Sequence, residues 1–93
     1  MVSQTMLNGL GTQQLTVSNT SVAMTVPTSA QRALIFVDVD DVYMEVDDTD
    51  ATTSNQLVVA GTTINLTDAR YKLSRFRFIR RTNDATLHIS YYS

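Results

Sequence analysis

Valine, isoleucine and leucine recur at alternate positions through much of the chain. No stretch carries the three-and-four spacing of a helical stripe, so the pattern predicts an all-β protein. The first dozen residues depart from it. Val2, Met6, Leu7 and Leu10 are scattered among polar spacers and two glycines, Gly9 and Gly11, and this irregularity predicts an arm over residues 1–12 ahead of a single domain over residues 13–93. Leu15 and Val17 open the first expected strand, Asn19-Thr20 turns the chain, and Val22, Met24 and Val26 alternate with Ala23 and Thr25 until Pro27, which cannot donate to a ladder.

The segment ALIFVDVDDVYMEVDD carries the sharpest local signal. Ile35, Val37 and Val39 are apolar at odd positions, and beyond Asp40-Asp41 the apolar set moves to Val42, Met44 and Val46 at even ones. Side chains of a strand alternate between faces, so an uninterrupted strand would expose one of these sets. A reversal is therefore required at Asp40-Asp41, and a hairpin is expected there. The acidic stretch Asp47 to Asn55 reads as a loop, Leu57-Val58-Val59 as a strand, Ala60-Gly61-Thr62 as a turn and Thr63 to Leu66 as another strand. Thr67-Asp68-Ala69 opens a further loop.

Near the C-terminus, a hairpin turn at Asn83-Asp84 would set Phe78 opposite Ile89, Phe76 opposite Tyr91 and Arg80 opposite Leu87 on an apolar face. Arg75 opposite Tyr92, Arg77 opposite Ser90, Ile79 opposite His88 and Arg81 opposite Thr86 would form a basic one. Arg80 is the misfit on the apolar side and belongs at its rim, stem packed and head in water.

Charge is segregated along the chain. RYKLSRFRFIRR, residues 70–81, holds six of the seven basic side chains, and seven of the nine carboxylates, Asp38, Asp40, Asp41, Glu45, Asp47, Asp48 and Asp50, fall within thirteen positions. One reading is internal neutralisation across solvated faces, worth ~0.2–1 kcal/mol per exposed pair. Another is a dipolar subunit whose basic edge meets the acidic edge of a neighbour. In that second reading the arm residues Met6, Leu7 and Leu10, the acids Asp38, Asp40, Glu45 and Asp47, and the bases Arg75, Arg77 and Arg81 form subunit contacts. Nucleic acid is disfavoured as a partner, because the formal net charge is −2 and the pI about 5.0, and because Phe76 and Phe78 are expected in the core instead of on a stacking surface.

Little else points to chemistry. The chain has no cysteine, which removes disulfides and thiolate sites. The loop from Asp47 to Asn55 offers oxygen ligands but lacks the spacing and closing glutamate of a calcium loop, so no metal or cofactor is expected. His88, the single histidine, reads as a surface or interface residue. No catalytic motif appears, and the expectation is a non-enzyme. No apolar run is long enough for a membrane helix and the start MVSQTMLNGLG lacks a leader pattern, so a soluble, unprocessed product without membrane contact is expected.

From Val26 to Tyr92 the segments TVPTSAQRALIFVDVDDVYMEVDD, LVVAGTTINL and FRFIRRTNDATLHISYY resemble small β-sandwich virion proteins encoded among tailed-bacteriophage structural genes. The landmarks fall on Ala33-Leu34-Ile35, Asp41-Val42, Leu57 to Gly61, Phe76 to Arg80 and Ala85 to Tyr92. Where the family pattern carries a glycine after the acidic strand, this chain has Asp48. The resemblance implies a small antiparallel, jelly-roll-like β-sandwich located in the virion. It implies a capsid decoration or cement subunit that binds the major capsid protein or another virion protein and forms homo-oligomers, with a trimer favoured. The alternative is a fibre- or tail-associated adaptor or host-glycan-binding module, which would need an exposed platform among Tyr43, Tyr71, Tyr91 and Tyr92, with Tyr91 expected inside.

Overall fold

The computed structural model describes residues 9–46, 50–52, 55–67 and 72–93. Within them run eight strands: β1 Gly9–Val17, β2 Val22–Ala23, β3 Arg32–Asp38, β4 Val42–Glu45, β5 Gln56–Val58, β6 Thr63–Thr67, β7 Arg77–Arg80 and β8 Ala85–Tyr92. A short 3-10 turn, Leu73–Arg75, precedes β7. The strands form two antiparallel sheets, ordered β1-β8-β3-β6 and β2-β7-β4-β5. The chain is thus a long ribbon closed at β4–β5 and wrapped so that β1 meets β8, β2 meets β7 and β3 meets β6. That is the topology of an eight-stranded jelly roll, and the expected all-β sandwich is what the chain forms.

Alternation explains which side chains go in. Ala33, Ile35 and Val37 of β3 are fully buried, and Arg32, Leu34 and Phe36 between them are exposed. Ala85, Leu87, Ile89 and Tyr91 repeat the pattern along β8. From the second sheet Val42, Met44, Val58 and Phe78 close the core, with Phe76 and Leu73 sealing one end. Among the described residues no polar or charged residue is buried. The Tyr91 hydroxyl donates to Gln13 Oε1 at 2.6 Å, and the same oxygen accepts from the Thr25 N–H at 3.1 Å. Burial pushes the Tyr91 phenol up to about 12.

Both expected hairpins are replaced by crossings between sheets. β3 lies in the first sheet and β4 in the second, so the parity reversal at Asp40-Asp41 marks a corner where the chain passes over the end of the sandwich. The turn at Asn83-Asp84 likewise joins β7 of the second sheet to β8 of the first. Phe78 sits beside Val22 and Met44, Ile89 sits beside Gln13 and Ile35, and the two residues face one core from opposite walls. Arg75 accordingly lies on the 3-10 turn and not opposite Tyr92, whose neighbour on β3 is Arg32. A hairpin and a crossing reverse parity identically, because both inner faces of a sandwich point at one core.

Three further expectations change. β1 begins at Gly9, inside the expected arm, with its register shifting between Gly9 and Thr12 and Gly11 at φ 110°. Leu10 is half-buried and packs against the core. Val39, expected inward, is 70% exposed. Met6, Leu7, Asp47 and most of the acidic loop lie outside the described residues. Arg80 is half-buried at the rim, where its guanidinium pairs with Asp84.

Phe78→Ala is expected to cost about 3–5 kcal/mol in urea unfolding, and Leu34→Ala, on the outer face, well under about 1 kcal/mol. Similar losses for the two would contradict the assignment of faces.

Candidate interaction surface

The corner between β3 and β4 is built by three aspartates around a valine. Asp40 N–H donates to the Asp38 carbonyl at 3.0 Å, closing a three-residue γ-turn with Val39 at φ 75°. This form of turn is rare and strained, above all for a β-branched residue. Local side chains hold it: Asp38 Oδ1 accepts from the Val39 N–H at 2.9 Å and Asp40 Oδ1 from the Asp41 N–H at 2.8 Å. Short carboxylates reach the backbone of the next residue, which is why aspartates recur in such turns.

The same carboxylates then reach outward. Asp40 Oδ2 accepts from the Asn83 N–H at 2.7 Å. Asp41 Oδ1 accepts from the Ala60 N–H at 2.8 Å, Asp41 Oδ2 from Arg81 Nη1 at 3.0 Å, and the Asp41 carbonyl from the Arg81 N–H at 3.0 Å. Gly61 N–H donates to the Val37 carbonyl at 2.7 Å, a tight approach that Gly61 makes at φ 90°, where other residues would be strained. Arg80 N–H donates to the Ser18 carbonyl at 2.9 Å. The connections β1–β2, β3–β4, β5–β6 and β7–β8 are thereby joined into one end of the sandwich.

This end presents two apolar side chains to water, Val39 at 70% and Val59 at 50% exposure. Around them stand the Arg80–Asp84 pair and the Asp41–Arg81 pair. An exposed valine in a strained turn, held by several hydrogen bonds, is the arrangement expected of a contact point on a rigid scaffold.

Among the described residues expected at subunit contacts, Asp38, Glu45 and Arg77 also make intramolecular contacts. Asp38 Oδ2 lies 3.1 Å from His88 Nε2, and His88 Nδ1 lies 3.4 Å from Gln14 Nε2 on the outer face of the first sheet, with Phe36 tilted beside the imidazole. Glu45 Oε1 accepts from the Val46 N–H at 2.8 Å and Glu45 Oε2 from Asn55 Nδ2 at 2.6 Å, while in the ladder Glu45 stands opposite Arg77. Arg77 Nη1 donates to the Ser74 carbonyl at 2.7 Å. Arg75 is exposed at the end of the 3-10 turn. Between the two charged segments Asp41 pairs with Arg81 within one subunit, and Arg80 pairs with Asp84. The Asp41–Arg81 and Arg80–Asp84 pairs are partly solvated, so each is worth only ~0.2–1 kcal/mol.

Sequence reasoning missed Val59 and Arg32. Val59 was readable as the last residue before a Gly turn, at a parity opposite to the buried Val58. Arg32 shares the parity of Leu34 and Phe36, which places it on the outer face beside Tyr92. Among the described residues no three of His, Cys, Asp and Glu gather into a group that could hold a metal ion. Comparison with protein-family models, curated proteins and solved structures gives no match for the chain.

The backbone N–H of Asp41, followed by that of Asn83, holds the Asp40 carboxyl below its ordinary 3.8. A depressed acid stabilises the fold above its unfolded value and loses that contribution as pH falls from 3.8 towards the lowered value. Urea unfolding in this acid range should therefore fall away less steeply for Asp40→Asn than for the parent chain. Equal steepness would show that Asp40 does not carry the corner.

Proposed function

We propose that the chain is a non-catalytic virion structural protein, a capsid decoration or cement subunit that docks through the loop end carrying Val39 and Val59. The partner is the major capsid protein or another virion protein, and copies self-associate on the lattice, a trimer being the simplest arrangement. The resemblance to small phage β-sandwich proteins supports the virion setting. The observation that carries the docking reading is Val39, whose side chain projects into water from a conformation that disfavours any residue but glycine.

Glycine at position 39 would relieve the strain, and on this reading the valine is kept for contact with the partner. Covering one largely exposed valine is worth about 1.5 kcal/mol, or roughly tenfold in affinity. The charged pairs around it set orientation more than strength. Residues 1–8 add a second contact on this reading, and the deletion that tests them stops before Gly9, where β1 begins.

Val39→Gly should raise stability by up to about 1 kcal/mol and weaken capsid binding about tenfold, measured by urea unfolding and by co-sedimentation with undecorated capsids. Val59→Ser should weaken binding to a similar degree. Undiminished binding by the better-folded glycine variant would remove the loop end as the docking surface, and binding that survives removal of residues 1–8 would remove the arm.

A further inference from the structure

On the outer face of the first sheet, Arg32 stands directly between Tyr92 on β8 and Thr67 on β6, and Leu34 between Ser90 and Asn65. Four of these side chains, Arg32, Leu34, Asn65 and Tyr92, enclose a depression of about 250 Å³. It lies at the opposite end of β3 from the Asp38–Asp41 corner, roughly 20 Å away at the rise of an extended strand. We propose that this depression is a binding site for a single sugar ring carrying a carboxylate, a uronic or sialic acid residue.

Each side chain supplies one part of that recognition. Leu34, 37% exposed, is an apolar floor, and the Tyr92 ring is an aromatic wall, together matching the C–H face of a pyranose. Asn65 is exposed and offers an amide with two donors and an acceptor, the complement of vicinal hydroxyls. The Arg32 side chain is exposed and its guanidinium makes no hydrogen bond or ion pair with the described residues, in contrast to Arg80 and Arg81. Its guanidinium fork fits a carboxylate in bidentate fashion. A phosphate alone would leave Leu34 and Tyr92 uncovered, and a neutral sugar would leave the guanidinium without its counter-charge.

The size sets a limit. A depression smaller than the roughly 300 Å³ of drug-sized pockets holds one ring and leaves the rest of a glycan in solvent. Affinity per site is then weak, and useful retention requires many copies acting together. A lattice-borne protein provides that multiplicity, although the site itself rests on residues remote from the capsid-docking loops.

The whole protein, labelled with ¹⁵N, is titrated with methyl β-glucuronide, with methyl β-glucoside as the neutral analogue and inorganic phosphate as the charge-only probe. Amide shifts centred on Arg32, Leu34, Asn65 and Tyr92 are expected with the glucuronide, and at least about tenfold weaker binding of the other two. Arg32→Gln should weaken the glucuronide about tenfold and leave the glucoside unchanged, and Tyr92→Ala should weaken both. Arg32 is on the surface, so its variant folds normally and keeps capsid binding, which separates this site from the docking reading. Equal affinity for glucoside or phosphate, shifts elsewhere, no shifts, or an Arg32→Gln variant that binds like the parent would each overturn the proposal.

Discussion

Two adjacent carboxylates, Asp40 and Asp41, hold together the end of the sandwich on which the proposed docking surface stands. A jelly roll moves its chain between sheets at corners, and each corner leaves backbone N–H groups without ladder partners. Asp40 and Asp41 accept from the N–H groups of Asp41, Asn83 and Ala60 and from the Arg81 guanidinium. Hydrogen bonds to an ionised acceptor are shorter and stronger than neutral ones, and several of them converge on this one corner. Together they oppose the cost, ~1–3 kcal/mol, of keeping one residue in a sparsely populated backbone region.

That balance explains how Val39 can sit at positive φ with its side chain in water. The apolar core below it is complete without it, because Val37 is the last inward residue of β3 and Val42 the first of β4. Asp38, Asp40, Asp41 and Glu45 serve first as turn acceptors and cross-loop ties. Arg81 answers Asp41 from the loop beyond β7, and Arg80 at the end of β7 pairs with Asp84. The two surfaces proposed for other molecules are thus separate: apolar points on the loop end, and the outer face of the first sheet near Arg32 and Tyr92.

The inward faces were legible from the chain alone. The alternation through Ile35 and Val37, its reversal before Val42 and Met44, and the pairing of Phe76 and Phe78 with buried Ile89 and Tyr91 as one core are local signals with period two. The partners of those strands were not legible, since a residue facing the core from beside Phe78 and one facing it from across have the same pattern. Deciding between them requires contacts such as β1 with β8, which join the two ends of the domain. Val39 was misplaced because parity assigns it inward and nothing in its identity signals a γ-turn. The preceding and following aspartates were the available clue, as short acceptors that cap backbone N–H groups. Arg32 was passed over because its neighbour Tyr92 is distant in sequence and adjacent only in the sheet.

The unity of the loop end is the claim on which the rest stands, and amide hydrogen exchange in an Asp41→Ala variant addresses it directly. If the corner is one cooperative unit, the amides of Ala60, Arg81 and Asn83 exchange faster together, although the Asn83 N–H is bound by Asp40 and not by the residue removed. Faster exchange at Ala60 alone, with Arg81 and Asn83 unchanged, would show independent loops and contradict the account.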